Sequence, residues 1–141
     1  MSCILRFWGK DFDPKEAIQS IPIAADKIWI IGERRFPESQ TMLKLHNSSG
    51  LNFLVSNADF SEIQTQIEDA IKFLSMHHAW LERLSSSPGL EGAVIDFGAE
   101  LKNSFSQSYS FPPALLQALG KSNITLGLSV YPCDDADSEK A

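Results

Sequence analysis

The chain has few of the residues that mark secreted, membrane-spanning or metal-binding proteins. Its 141 residues include two cysteines, Cys3 and Cys133, which are not spaced as a metal-binding pair. Such thiols are typical of a reduced, cytoplasmic protein, although a Cys3–Cys133 bridge stays open if the first and last strands are neighbours. No apolar run approaches about 18 residues and no signal peptide is visible, so no membrane association is expected.

Positive charge is also scarce. Twelve Lys and Arg against 18 Asp and Glu give a net charge of −6. This argues against nucleic acid as a partner, because nucleic-acid binders neutralise phosphates with cations. Negative charge is compatible with a basic protein partner, but many proteins are acidic without one.

Catalytic and nucleotide-binding motifs are missing as well. The chain contains no G-x-G-x-x-G, no P-loop, no H-E-x-x-H and no G-x-S-x-G. The adjacent His77 and His78 point about 100° apart on a helix, so they do not chelate one ion as a pair four residues apart can. We therefore expect no enzyme activity, no cofactor and no metal.

The longest periodic segment, residues 60–87, predicts one long helix around which the other elements are arranged. Asp59 or Ser61 is expected to cap its start, and Pro88-Gly89 to end it. Its apolar residues recur at steps of three and four, and they are Ile63, Ile67, Ala70, Ile71, Leu74, Leu81 and Leu84.

Short apolar runs on both sides of this segment predict strands. Residues 3–8 and 27–31 are apolar on both faces, so both runs are expected to be internal strands. Residues 41–46 and 51–56 predict a hairpin around 47–50. Outward-facing residues of that hairpin are expected to be Lys44, His46, Asn52 and Ser56. Further strands are predicted at 93–97, 104–111 and 124–131, and short helices after Asp13 and Pro112.

The element order predicts an α+β fold: a mixed or mainly antiparallel sheet with one long helix and two short helices packed on it. Phe12-Asp13-Pro14 and Phe111-Pro112-Pro113 each join a strand to a short helix. Two ferredoxin-like halves would explain this echo, and so would coincidence. Residues 1–132 are expected to form one domain, and residues 133–141 an acidic disordered tail.

The three tryptophans are candidate anchors for a partner, because aromatic residues dominate interfaces as well as cores. Trp8 shares one side of its strand with Arg6, so we expect it to be partly exposed. Trp29 lies in an apolar run, which favours the core. Trp80 adjoins the apolar face of the long helix and suits either role.

Three charged residues complete the candidate site. Arg34 and Arg35 follow a strand in an otherwise acidic chain, where paired arginines hold a carboxylate or phosphate, or simply face solvent. Asp96 lies on the outward side of its strand near Glu91 and Glu100, which allows acid–base work or plain solvation.

Several short motifs run through most of the chain. They are Leu5-Arg6-Phe7-Trp8-Gly9, Asp11-Phe12-Asp13-Pro14, Ile28-Trp29, Gly32-Glu33, Leu119-Gly120 and the strand at 124–131. In these motifs the chain resembles a family of small bacterial proteins known only as a domain of unknown function. They are fold signatures, so the resemblance implies a compact bacterial α+β domain and no site residues. In size and charge the chain is also similar to immunity proteins of bacterial toxin systems.

Three functions remain open. The first is a non-enzymatic protein-interaction domain, in its sharpest form an immunity protein that covers the active site of a basic toxin domain. The second is a small-ligand-binding or enzymatic domain with a pocket near Arg34, Arg35 and Trp8. The third is a homodimer or larger homo-oligomer that pairs the predicted strand 104–111 at a sheet edge.

Overall fold

A computed structural model describes residues 2–132, which form five strands and three helices. The strands are β1 (Cys3–Gly9), β2 (Lys27–Trp29), β3 (Ser49–Ser56), β4 (Gly92–Glu100) and β5 (Thr125–Tyr131). The helices are α1 (Pro14–Ala17), continued by a 3₁₀ turn at Ile18–Ser20, α2 (Ile63–Ser85) and α3 (Pro113–Lys121). The predicted α+β class is confirmed. The predicted acidic tail and Cys133 lie outside the described residues.

All five strands belong to one mixed sheet in the order β2-β3-β1-β4-β5. The pairs β2–β3, β3–β1 and β1–β4 are antiparallel, and β5 runs parallel to β4. The first four strands, connected through α1 and α2, have the order of one ferredoxin-like β-α-β-β-α-β unit. Within residues 2–132 only α3 and β5 follow this unit. The described chain therefore contains one such unit with an added helix and strand, and not two halves.

The helices pack on one face of the sheet, because alternate residues of the inner strands are apolar. Leu5, Phe7, Phe53, Ile95 and Phe97 are buried on this face. Fully burying such a side chain contributes roughly 1.5–3 kcal/mol, so this face supplies most of the stability of the fold. The helices contribute to the same core with Ile67, Ala70, Leu74, Leu81, Leu84, Leu115 and Leu119.

The predicted cap was correct for α1 and wrong for α2. Asp13 caps α1 as predicted, since its carboxylate accepts from the amides of Lys15 (3.1 Å) and Glu16 (3.2 Å). The long helix begins at Ile63, later than predicted, and neither Asp59 nor Ser61 caps it. Its N-cap residue, Glu62, makes no side-chain hydrogen bond there.

A buried glutamine ties the start of α2 to the sheet. The side-chain amide of Gln66 donates to the carbonyls of Asp59 (3.1 Å) and Gly98 (2.8 Å), and its oxygen accepts from the amide of Gly98 (3.2 Å). Because buried polar groups need partners, these bonds explain how a glutamine fits into the apolar face of the helix.

Residues 104–111, predicted as a strand, are loop. The side chain of Gln107 instead ties this loop to the end of β4, since it donates to the carbonyl of Glu100 (2.6 Å) and accepts from the amide of Lys102 (3.1 Å). The alternating serines mimic a solvated strand, but no neighbouring strand pairs with them. The predicted homodimer through this segment therefore has no strand to pair.

The region between β2 and β3 also differs from the prediction. Residues 41–46 contribute one bridge, between Leu45 and Arg34, and no hairpin strand. Gly50, predicted in the turn, lies inside β3. The strand β2 has three residues and forms an edge of the sheet, so the prediction of an internal strand at 27–31 was wrong.

Candidate functional site

The face of the sheet opposite the core carries a row of polar residues across three strands. Lys27 of β2 pairs with Asn52 of β3, and Asn52 pairs with Arg6 of β1. Side chains at these alternate positions point away from the core. Arg6 and Asn52 are half-buried and Lys27 is exposed, so two cations flank one amide on the open face.

A row of aromatic residues lies next to it, two positions further along the strands. Trp29 pairs with Gly50, Gly50 pairs with Trp8, and Trp8 pairs with Gly92. Each indole lies on the glycine beside it: a Cβ at Gly50 would overlap Trp29, and a Cβ at Gly92 would overlap Trp8. Both tryptophans are half-buried on the open face. The prediction that Trp29 lies in the core was therefore wrong.

The segment between β2 and β3 turns the cationic row into a pocket of about 550 Å³. Residues Arg35 and Phe36 and residues 44–48 of this segment line the pocket together with Lys27, Trp29, Asn52 and Arg6. The volume lies within the range of roughly 300–1,000 Å³ that is usual for small-molecule sites. We call this cavity the basic pocket.

The charge of the basic pocket is opposite to that of the whole chain. Four cationic side chains line it: Arg6, Lys27, Arg35 and Lys44. Among residues 2–132, no Asp or Glu lines it. None of the four forms an ion pair within residues 2–132. Arg35 lies 5.7 Å from the ring centroid of Phe36, in the range of a cation–π contact. Like charges held together repel each other, and a bound anion would relieve that repulsion.

His46 lines the basic pocket, and its pKa responds to the charges there. Its ring is stacked on Trp29, with centroids 6.1 Å apart and planes at 29°. Burial lowers the pKa of His46, and the charges of Lys27 and Arg35 lower it further, against a smaller opposing effect of Glu33. The imidazole is therefore neutral at pH 7, and an anion in the pocket would favour its protonation.

The two adjacent arginines have different surroundings. Arg34 is half-buried, and its Nη2 donates to the carbonyl of Ser39 and, at 3.5 Å, to that of Met42. Its Nε is buried without a partner within the described residues. Arg34 therefore holds the segment that walls the pocket, whereas the exposed Arg35 lines the pocket itself. Arg34 lines an adjoining depression with Glu33, and this depression shares part of its lining with the basic pocket: Lys27, Trp29, Arg35 and His46.

Asn52, at the centre of the polar row, has an unusual side chain. Its Oδ1 is buried and has no hydrogen-bond partner among residues 2–132. Buried acceptors are normally paired, and an unpaired one costs roughly 1–3 kcal/mol. Asn52 therefore lines the pocket without stabilising the fold through this oxygen.

The other predicted site residues lie elsewhere. Trp8 is on the open face but does not line the basic pocket. Trp80 is only 5% exposed and packs against Phe53 with centroids 5.2 Å apart, so in the folded protein it belongs to the core. Asp96 is on the open face, where its carboxylate accepts from Ser129 Oγ at 2.8 and 3.0 Å.

Most of the pocket could not be predicted from the sequence, although the outward-facing residues of the predicted hairpin were an indication. Lys44, His46 and Asn52 were expected to face outward, and all three line the pocket. The fourth residue of that group, Ser56, is buried and donates to Asp69 at 2.6 Å. Arg6 and Lys27 could not be grouped with them, because their meeting depends on the strand order.

The structure also bears on metal binding, membrane insertion and thiol reactivity. Between residues 2 and 132 no three His, Cys, Asp or Glu side chains are grouped as metal ligands. No helix in this range combines the length and apolar character needed to cross a membrane. Cys3 is fully buried, and burial raises the pKa of its thiol, which makes it unreactive.

Comparison of the chain with protein-family models, curated proteins and solved structures found no match. The geometry of the basic pocket is therefore the main indication of what the protein binds.

Proposed function

We propose that the protein binds a small anionic molecule in the basic pocket. One observation carries this proposal: four cations line a single cavity in a chain of net charge −6, and within residues 2–132 they form no ion pair and no carboxylate lines the cavity with them. Charge-assisted hydrogen bonds to carboxylate or phosphate are about twice as strong as neutral ones, and arginine makes them in pairs. This is the small-ligand alternative of the sequence analysis, with Arg35 in the pocket and Arg34 supporting its wall.

Binding explains the surroundings of His46 better than catalysis does. His46 is the one group lining the pocket whose ordinary pKa lies near neutrality. A catalytic histidine is usually oriented by a hydrogen bond to its second ring nitrogen. The ring of His46 has no such bond within the described residues, and its contact is the stack on Trp29.

Isothermal titration with inorganic pyrophosphate tests the proposal directly. Arg35→Gln and Lys44→Gln each remove one positive charge from the pocket, and each is expected to weaken binding about tenfold. Lys72→Gln is the matched control, because it removes one charge from the exposed surface of α2. Binding should also weaken as salt increases.

Two outcomes would contradict the proposal. Pyrophosphate, citrate and phosphate could all fail to bind at millimolar concentration, or Lys72→Gln could weaken binding as much as Lys44→Gln does. In the second case the chain would respond to total charge and not to the pocket.

A protein partner is the second candidate, and the surface beside the pocket favours it. Met42, Leu43 and Leu45 are 51%, 65% and 52% exposed on the segment that walls the pocket. Exposed apolar side chains next to cations suit an acidic protein segment. A pull-down should then lose its partner both with Lys44→Glu and with Leu43→Asp. If both variants retained every partner of the wild type, this surface would not be the interface.

An immunity protein directed against a basic toxin domain stays a proposal based on net charge. The charge of the basic pocket would repel such a toxin domain, so this partner would have to contact the acidic remainder of the surface. The bacterial family resemblance and a cytoplasmic location likewise stay predictions.

A further inference from the structure

The basic pocket has an aromatic wall beside its cations. Trp29 and Phe36 line it, and His46 is stacked on Trp29. The indole of Trp29 lies directly on Gly50, so its position is set by the backbone of β3. One side of the indole lies on the sheet, and the tilted ring of His46 lies 6.1 Å away, so a flat ring of a ligand would stack on Trp29 by taking the place of His46.

The cations indicate a ligand with more than one negative charge. A carboxylate carries a single charge, whereas a phosphate monoester carries about −1.5 to −2 at pH 7. Arg6 and Arg35 have planar guanidinium groups that match phosphate oxygens in pairs, and Lys27 and Lys44 add point charges. A phosphate group uses this set of side chains more fully than a carboxylate would.

Polar side chains complete the pocket. Asn47 and Ser48 line it, and so does Asn52, whose Oδ1 lacks a partner within residues 2–132. Amide and hydroxyl groups recognise the donors and acceptors at the edges of a heterocyclic ring or on a sugar. The pocket thus combines phosphate-binding, stacking and hydrogen-bonding groups in about 550 Å³.

We propose that the ligand is a nucleoside phosphate, with its phosphate among the four cations and its base against Trp29 and Phe36. This inference rests on the proposed function, because it specifies the anion that the basic pocket takes. The nucleotide motifs that the sequence lacks hold phosphates with backbone amides of glycine-rich loops. Here side chains from two strands and one loop would bind the phosphate, which explains why no such motif is present.

Titration calorimetry with adenosine 5′-monophosphate and its two halves tests the inference. Adenosine 5′-monophosphate should bind at least about tenfold more tightly than adenosine or ribose 5-phosphate, because only the whole molecule reaches both walls. Trp29→Leu should weaken the binding of adenosine 5′-monophosphate more than that of ribose 5-phosphate, and so reduce this advantage. Trp8→Leu is the matched control, since Trp8 lies in the same row but outside the pocket.

The remaining outcomes separate this inference from the proposed function. If pyrophosphate or ribose 5-phosphate binds as tightly as adenosine 5′-monophosphate, the nucleoside is wrong and anion binding stands. If neither pyrophosphate nor any phosphate ester binds, both fail. If a single-stranded decanucleotide binds and adenosine 5′-monophosphate does not, the mononucleotide is wrong. Should circular dichroism show that Trp29→Leu is unfolded, Phe36→Ala on the exposed loop replaces it.

Discussion

The two faces of the sheet are built from the same strands but differ in every other respect. In β3, Phe53 points into the core and is 1% exposed, whereas its neighbour Asn52 points to the open face with an oxygen that has no partner among residues 2–132. In β1, Phe7 is fully buried, whereas Arg6 lines the basic pocket. Successive residues of a strand therefore face the core and the open face in turn. Their contributions to stability and to the proposed binding can be tested separately.

The largest expected effect lies on the core face. Phe53 is edge-on to Phe7, with centroids 6.3 Å apart, and also contacts Phe73 and Trp80. Phe53→Ala should lower the free energy of unfolding by about 3–5 kcal/mol, because it leaves a cavity in this aromatic cluster. Urea denaturation measures the loss. A loss below about 1 kcal/mol would contradict the division between the two faces.

The adjacent arginines should separate stability from binding. Arg34→Ala removes the donor to the carbonyls of Ser39 and Met42 and should cost about 1–2 kcal/mol. Arg35→Ala should change stability by less than about 0.5 kcal/mol, as is usual for an exposed side chain. Arg35→Ala should nevertheless weaken pyrophosphate binding about tenfold. Equal effects of both variants on stability and on binding would contradict the separate roles.

Asn52 offers a prediction of the opposite sign. Its buried oxygen has no partner in the described part of the chain and lowers stability, so Asn52→Val should leave the free energy of unfolding unchanged or raise it by up to about 1 kcal/mol. The same variant should bind the ligand less well. Thermal unfolding with and without pyrophosphate measures both quantities. A clear loss of stability would show that the amide is a structural group.

The smallest expected effect is a pH dependence of stability that arises on the side of α2 next to the core. Trp80 Nε1 donates to His77 Nδ1 at 2.9 Å, and burial lowers the pKa of His77 from its ordinary value of 6.5. In acid the unfolded chain binds the proton more readily than the folded chain does. His77 therefore lowers stability as the pH falls below 6.5, and this loss is absent at higher pH.

Urea denaturation at about pH 7.5 and about pH 5.5 should show a smaller acid loss in His77→Gln than in the wild type. His78→Gln is the control, because the side chain of His78 is exposed and has no hydrogen bond within residues 2–132. His46, whose pKa is also lowered, is present in both variants and cancels in the comparison. An unchanged acid loss in His77→Gln would contradict the lowered pKa of His77.

Local features of the fold could be predicted from the sequence, whereas features that depend on strand pairing could not. The cap at Asp13 and the apolar face of α2 follow from residues within a few positions of each other. The edge position of β2 and the loop at 104–111 depend on which strands are neighbours. Alternation alone does not encode that information.

The candidate site shows the same limit more sharply. Arg35, Lys44 and His46 belong to one segment, and their outward direction or pairing was visible in the sequence. Arg6 and Lys27 join them only because β1 and β2 both pair with β3. Trp80 illustrates the reverse case, since an aromatic residue beside an apolar helix face suits a surface or a core, and packing decides between them.

The most direct test of the basic pocket is a titration of ¹⁵N-labelled protein with inorganic pyrophosphate, followed by amide chemical shifts. The account predicts saturable shifts at Arg6, Lys27, Arg35 and residues 44–48, with little change in α2 and α3. In Lys44→Gln these shifts should need about tenfold more pyrophosphate to saturate, and in Lys72→Gln they should saturate as in the wild type. No saturable shifts, or shifts confined to the groove between α2 and α3, would contradict the assignment of binding to the open face.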